Sequence, residues 1–523
     1  MFKFRNVLCA ILLFLGILCL PYMCSVSRSE DLSTRIDSIR KDHDLMGGVV
    51  VVFCKDRILE SIPFGTADRA RNIPVSDSTA FRIASVSKTV TAIAVMRLWD
   101  DDRLDLDTDI DTILGYSVRN HHYPSTPITC RMLLSHTSGI IDGDTYSGFL
   151  SASYNDDPIP DISEILSPSG SHYSSTNYEN APPGTYFHYS NLNFGILGTI
   201  VEKVTGTRFD EYCFQNIFLP LDIDGSFNVN HLTDIDDVAV LYRKRGGDWV
   251  AQADDYRGVQ PVFSNLSGYV EGTNGLRFAP QGGLRISGND LAKIFMALLN
   301  EGESNGYRLL SPSAVAQMLG TQWLYDGSNG NTYYGLFRSW GLGAHIITNT
   351  PHKDVVLSGS QKMFGHPGEA YGLVSDAYMD TAREVGLVFM TNGSGAGYHI
   401  GSRSAFYTVE KAVFDAVEAY GKVNSCATMV LDQPATIKFV TDLLDHLRRW
   451  SHFVISRTGA TVKAAPMMIS HSVRDKATTP NTSSSQGTSM MATSTNISSR
   501  IATLSHLLEK GLFKTELRSE RKL

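Results

Sequence analysis

The sequence predicts a mixed α/β chain of the α+β kind, with a mostly antiparallel sheet flanked by helices and a helical section inserted between its strands. Three observations predict it. Strand-like runs rich in β-branched residues stand early, at Gly47–Phe53 and Ile58–Phe64. Strand signals return late, at Leu342–Ile347, Gly372–Tyr378 and Val385–Thr391. Between them helical spacing dominates, mixed with loops.

The elements follow in order. Leu32–Lys41 reads as a helix. The two early strands pair as a hairpin across the polar Lys55, Asp56 and Arg57. From Ser85 to Trp99, residues Val86, Val90, Ile93, Ala94 and Leu98 recur at helical spacing. Pro182, Pro183 and Gly184 mark a turn, and Leu192–Val204 reads as a buried helix. A further helix runs over Asp290–Leu299 with Ser287 as its cap, and Ala405–Tyr420 closes the region.

Length and composition set the outer limits. The 523 residues are 42% hydrophobic and 19% charged, as in a folded globular chain. A net charge of −8 gives no support to nucleic-acid binding. Residues 1–25 read as an export signal: Lys3 and Arg5 precede an apolar run from Val7 to Leu20. That run is short for a membrane span, which favours cleavage over an uncleaved anchor. The chain is therefore expected to be exported, whether secreted, periplasmic or anchored through its N-terminus. Residues 30–422 form the expected main domain. Beyond lies an extension, 423–523, whose Ser-, Thr-, Asn- and Met-rich stretch Thr478–Ser499 cannot bury a core. An amphipathic basic segment, Ile437–Trp450, and the N-terminus are the two places where a membrane contact is conceivable.

Four cysteines lie past the signal, at 54, 130, 213 and 426, and sequence does not choose among their pairings. Cys54 sits in an apolar strand, where a buried free thiol is the default. His121 and His122 stand in a polar stretch that reads as a surface loop. No CxxC or HExxH spacing occurs, so no metal or other cofactor is expected. No GxxxxGK is present.

Serine needs a neighbour to take its proton. A lysine one helical turn further on shares its face and can reach the hydroxyl. Three Ser-x-x-Lys patterns occur, Ser38/Lys41, Ser85/Lys88 and Ser519/Lys522, and only Ser85 opens a long apolar helix. Two other stretches add polar groups. Tyr189-Ser190-Asn191 precedes the helix at Leu192; the phenol can relay protons and the amide can hold a carbonyl or the lysine. Gly365-His366-Pro367-Gly368 precedes the strand at Gly372. Gly368 permits close backbone approach, the N–H of Glu369 can join that of Ser85 as an oxyanion hole, and His366 can donate to substrate or steer its carboxylate.

Together Ser85-Val86-Ser87-Lys88, Tyr189-Ser190-Asn191 and His366-Pro367-Gly368 resemble the SxxK, YxN and K/HxG motifs of the serine β-lactamase and penicillin-recognising hydrolase family. The similarity is greatest to class C β-lactamases, D-alanyl-D-alanine carboxypeptidases and related esterases. Leu133–Gly139 and Gly282-Gly283-Leu284 add to it, and it spans Leu45–Tyr420. The resemblance implies a β-lactamase/transpeptidase-like fold with the third motif on a sheet edge strand. It implies acylation of Ser85, acid–base work shared by Lys88 and Tyr189, and a small-molecule or peptide substrate with an amide or ester bond. Histidine at 366, where many β-lactamases carry lysine, lowers the expectation of efficient β-lactam hydrolysis.

Overall fold

The computed structural model describes residues 31–421 apart from 361, 396–398 and 402–403. The expected export signal, Cys426 and the C-terminal extension fall outside the described residues. Helix α1 (Leu32–Asp42) leads into strands β1 (Gly47–Cys54), β2 (Ile58–Asp68) and β3 (Ile73–Pro74). Strands β4 (Trp323–Leu324), β5 (Ser339–Trp340), β6 (His345–Ile347), β7 (Met363–Ala370), β8 (Leu373–Asp380) and β9 (Val385–Thr391) come from the other end. They form one nine-stranded sheet in the order β4-β5-β6-β7-β8-β9-β1-β2-β3, and the pairings are antiparallel. The sheet thus closes between chain ends: β1 pairs with β9 from Gly48↔Thr391 to Cys54↔Val385.

The unbroken valine run of β1 has a physical cause. Val49, Val51 and Phe53 pack with Leu291, Ile294 and Phe295 of helix α4 (Gly288–Leu299). Val50, Val52 and Cys54 face the opposite layer, with Leu32 and Ile36 of α1 and Val409, Val413 and Val417 of helix α5 (Thr408–Tyr420). A strand covered on both faces has no position left for a polar side chain. Helix α4 comes so close that a Cβ on Gly288 would sit 2.8 Å from Val49 Cγ1. Ser287 caps it, its hydroxyl accepting from Asp290 N as expected. Helices α2 (Ser87–Asp100) and α3 (Asn191–Thr205) fill the middle of the chain, and most of their residues are buried.

Several boundaries differ from expectation. The strand expected over Leu342–Ile347 shrinks to β6 because Gly343 turns the chain at φ +70. Tyr407 caps α5, so that helix starts at Thr408. The Gly365–Gly368 motif, expected ahead of a strand, lies inside β7. Nor is β7 an edge strand, since β6 and β8 flank it. However, β6 pairs only as far as Gly365, so His366–Ala370 has an open side. Pro367, which has no N–H to donate, is tolerated there. Cys54, Cys130 and Cys213 are buried, and His121 and His122 are exposed. Asn392 begins an N-x-Ser sequence, yet its amide is buried and donates to Thr66, Ala67 and Val240 carbonyls, which excludes it as a glycan acceptor.

Candidate active site

Ser85 stands on an elbow. A short strand, Phe81–Arg82, pairs with Arg285–Ile286, and the chain then turns through Ala84 at φ +44 into a 3-10 turn that runs into α2. A non-glycine residue in that region costs about 1 kcal/mol or more, so surrounding bonds must hold it. They do: Ser375 on β8 donates its hydroxyl to Ile83 O at 2.8 Å, and Ile83 N donates to Leu284 O. Ser85 keeps partial exposure at the elbow while Lys88 is fully buried beneath it.

Lys88 Nζ lies 3.0 Å from Ser85 Oγ, 2.8 Å from Asn191 Oδ1 and 2.7 Å from the Gln281 carbonyl oxygen. Burial lowers its pKa from 10.5 to about 7, with the Asp142 carboxylate pulling the other way. Two of its three neighbours accept hydrogen bonds and carry no proton. A neutral amine donates to those two and turns its lone pair toward the Ser85 hydroxyl.

Asn191 is held in the required orientation by Asp142. That carboxylate accepts from Asn191 N (2.9 Å), Asn191 Nδ2 (2.8 Å), Leu192 N (2.9 Å) and the Ser190 hydroxyl (3.1 Å). It caps the N-terminus of α3, where an anion is favoured. Since Asn191 Nδ2 must face the carboxylate, Oδ1 is left for Lys88. The Tyr189 ring lies 4.9 Å from Lys88 Nζ and is walled by His136, Phe337 and Trp340 at 4.4–5.9 Å between ring centroids. His136 Nδ1 also accepts from Ser190 N, fixing the backbone beside Tyr189. Burial raises the Tyr189 phenol well above its ordinary value, against a hydrogen bond to Ser85 that lowers it. The phenol therefore stays protonated.

Strand β7 forms the opposite wall. A Cβ on Gly368 would lie 2.7 Å from Ile83 O and 3.1 Å from Ser85 N, so only glycine lets the two backbones meet. The two-residue turn at Tyr371 and Gly372 pairs Ala370 with Leu373. In the alternation of an antiparallel strand, Gly368 and His366 then address β8, and Glu369 and Pro367 address the open side. The Glu369 N–H thus points away from the ladder beside Ser85. Its side chain plays no part here and accepts from Tyr407 instead.

His366 departs from expectation. It is fully buried, and burial with the nearby Lys88 lowers its pKa well below 6.5. Nδ1 lies 2.5 Å from the Pro367 carbonyl, which can only accept, so Nδ1 carries the proton and Nε2 faces Tyr189 Oη at 3.5 Å. A neutral imidazole supplies no charge to steer a substrate carboxylate.

The Beta-lactamase family model matches residues 32–404. The chain belongs to the beta-lactamase family. Penicillin-binding protein 4 of Amycolatopsis lactamdurans is 31% identical over 196 residues, 37% of this chain and 48% of that one. The match thus spans about half or less of the curated relatives. The octameric penicillin-binding protein homologue from Pyrococcus abyssi aligns with a TM-score of 0.55 at 22% identity, over 74% of this chain and 76% of that one. D-amino acid amidase from Ochrobactrum anthropi SV3, complexed with L-phenylalanine amide, aligns with a TM-score of 0.54 at 20% identity, over 76% of this chain and all of that one. These structural likenesses show the β-lactamase/transpeptidase-like fold. The family is one of hydrolases.

In this beta-lactamase-family chain the structure brings Ser85, Lys88, Tyr189, Asn191, His366 and Gly368 into one cluster. Sequence reasoning passed over Asp142, His136 and the Gln281 carbonyl. His136 lies inside the Leu133–Gly139 stretch already noted, and an acid three residues past that stretch, Asp142, was the available signal. A backbone carbonyl leaves no signal. Among the described residues, Asp210, Glu211 and His231 are grouped closely enough for a cation, but Arg208 and Asn228 already occupy Asp210.

Proposed function

We propose that this protein is a serine hydrolase that cleaves an amide or ester through an acyl-enzyme on Ser85. The observation that carries this reading is the buried Lys88, near neutrality at about 7 and 3.0 Å from Ser85 Oγ. Neutral Lys88 takes the Ser85 proton as Oγ attacks the substrate carbonyl. The N–H groups of Ser85 and Glu369 receive the oxyanion. Tyr189, protonated and beside Lys88, gives its proton to the leaving nitrogen or oxygen and regains one from the Lys88 ammonium. The opposed shifts divide the roles: Lys88 is the base of the first step and Tyr189 the acid of the second. Water then attacks the ester carbonyl, and its proton returns through the same groups.

The test exposes purified protein to a fluorophosphonate and a fluorescent β-lactam, beside Ser85→Ala, with the labelled peptide read by mass spectrometry. Label on Ser85 that vanishes in the variant supports the reading. A folded protein that neither probe labels at Ser85 overturns it.

A further inference from the structure

A cavity of about 190 Å³ lies beside the helical section, separate from Lys88 and Ser85 in its lining. Arg82, Arg277, Arg285, Tyr154 and Tyr256 line it, beside apolar Phe227, Phe263 and Phe278. Arg285 is spoken for: Nη2 and Nε donate to Asp254 at 2.7 and 3.2 Å, and Nη1 to Gly283 O. Asp254 also accepts from Tyr256 and is the acid beside this group. Arg82 and Arg277 are left largely unneutralised. Arg82 reaches Asp254 only at 4.0 Å and donates at 3.4 Å to Gly282 O. Arg277 donates to the neutral Asn265 at 3.2 Å, and its Nε is buried without a partner. Beyond the lining, Asp210 also acts on Arg277, but it is already paired with Arg208 and bonded by Asn228, so the arginines around the cavity outnumber the carboxylates and leave a positive excess. Such cavities hold anions, because charge-assisted bonds gain strength as water is excluded.

Two residues, Arg82 and Gln281, link the cavity wall to the neighbourhood of Ser85 and Lys88. Arg82 comes three residues before Ser85, and its guanidinium lies 5.1 Å from the ring centroid of Tyr371, in the turn after Glu369. Gln281 gives its carbonyl to Lys88 and its Nε2 to Tyr154 on the cavity wall, at 3.0 Å. Its buried Oε1 has no partner.

We infer that this cavity is a substrate subsite for a carboxylate carried on an apolar stem. The inference rests on the hydrolase reading and deepens it: the substrate is an amide or ester with a second, anionic group remote from the scissile carbonyl. The charge that His366 does not supply comes from Arg82 and Arg277.

The test uses Ser85→Ala full-length protein, in which chemistry is silent, and measures binding of 3-phenylpropanoate and of its neutral amide by calorimetry. The acid binds at least tenfold more tightly than the amide, Arg277→Gln removes that preference, and Arg277→Lys, which keeps the charge, retains most of it. Equal binding of acid and amide overturns the subsite, as does a preference that survives Arg277→Gln in a variant with an unchanged melting point. Fluorophosphonate labelling of the unmodified protein from the same preparation separates the two readings. Labelling of Ser85 without acid preference sinks the subsite and leaves the hydrolase. Acid preference lost in Arg277→Gln, without labelling, keeps the anion site and sinks the hydrolase.

Discussion

Replacing Lys88 by methionine removes a base and, at neutral pH, stabilises the fold. Lys88 is wholly buried, and folding takes its pKa from 10.5 to about 7. The unfolded chain therefore binds this proton more tightly than the folded one. At about 1.4 kcal/mol per tenfold change, the penalty approaches 5 kcal/mol below pH 7 and is about 4 kcal/mol at pH 7. Methionine is unbranched, fills similar space and carries no charge. Against the gain stand the Asn191 Oδ1 and Gln281 O acceptors, which lose their donor at a cost of about 1 kcal/mol each. The net expectation is a variant about 2 kcal/mol more stable at pH 7 that no acylating probe labels. The sign reverses with pH. As pH rises from 7 toward 10.5 the wild-type chain recovers its penalty by about 1.4 kcal/mol per pH unit, so the advantage of methionine disappears near pH 8 to 9. Urea melts of both proteins from pH 6 to 9.5 measure this difference directly. A variant less stable than wild type at pH 7, or a difference that does not change with pH, would refute a Lys88 held near neutrality by burial.

Three further outcomes follow from the same geometry. The rate of Ser85 labelling by a fluorophosphonate should rise about tenfold per pH unit below pH 7 and level off above it; Asp142→Asn should move that inflection to lower pH, because the Asp142 charge raises Lys88, and a flat profile from pH 5 to 9 would count against both groups. Gly368→Ala puts a methyl group against Ile83 O and Ser85 N and should slow labelling about a hundredfold, whereas a wild-type rate would mean that the two backbones do not frame an oxyanion site. Asp376 on β8 and Glu410 on α5 form a buried carboxyl pair; burial raises both, Glu410 to about 8, and Glu410 raises Asp376 further. Their folded values exceed the unfolded ones, so wild-type stability should fall as pH rises through about 4.5 to 8, and Asp376→Asn should flatten that slope in thermal melts.

What the sequence disclosed, and what it withheld, divides along a physical line. The valine run of β1 and the apolar α3 were legible because burial on every side leaves a long hydrophobic record, and β9 was legible to its end residues for the same reason. The meeting of Ser85, Lys88, Tyr189 and Asn191 was legible because Ser85 and Lys88 stand one helical turn apart and Tyr189 and Asn191 stand at a helix entrance. The Gly365–Gly368 motif was read as preceding a strand and lies inside β7, because Gly and Pro in one short run imitate a turn; an open strand edge tolerates the same residues, and nothing local separates the two. Gln281 could not be read, since any residue offers a carbonyl, and its position opposite Lys88 depends on Thr91 bonding Pro280 O and Ser87 receiving Leu284 N. The state of His366 was likewise hidden. A histidine in the third motif suggests a cation by analogy with lysine, but its charge depends on burial and on Lys88 close by, and both oppose protonation. A lysine at 366 would face the same two penalties. The fold therefore favours one amine in this cluster, held near neutrality by burial, and leaves the arginines of the neighbouring cavity as the place where positive charge is tolerated near the site.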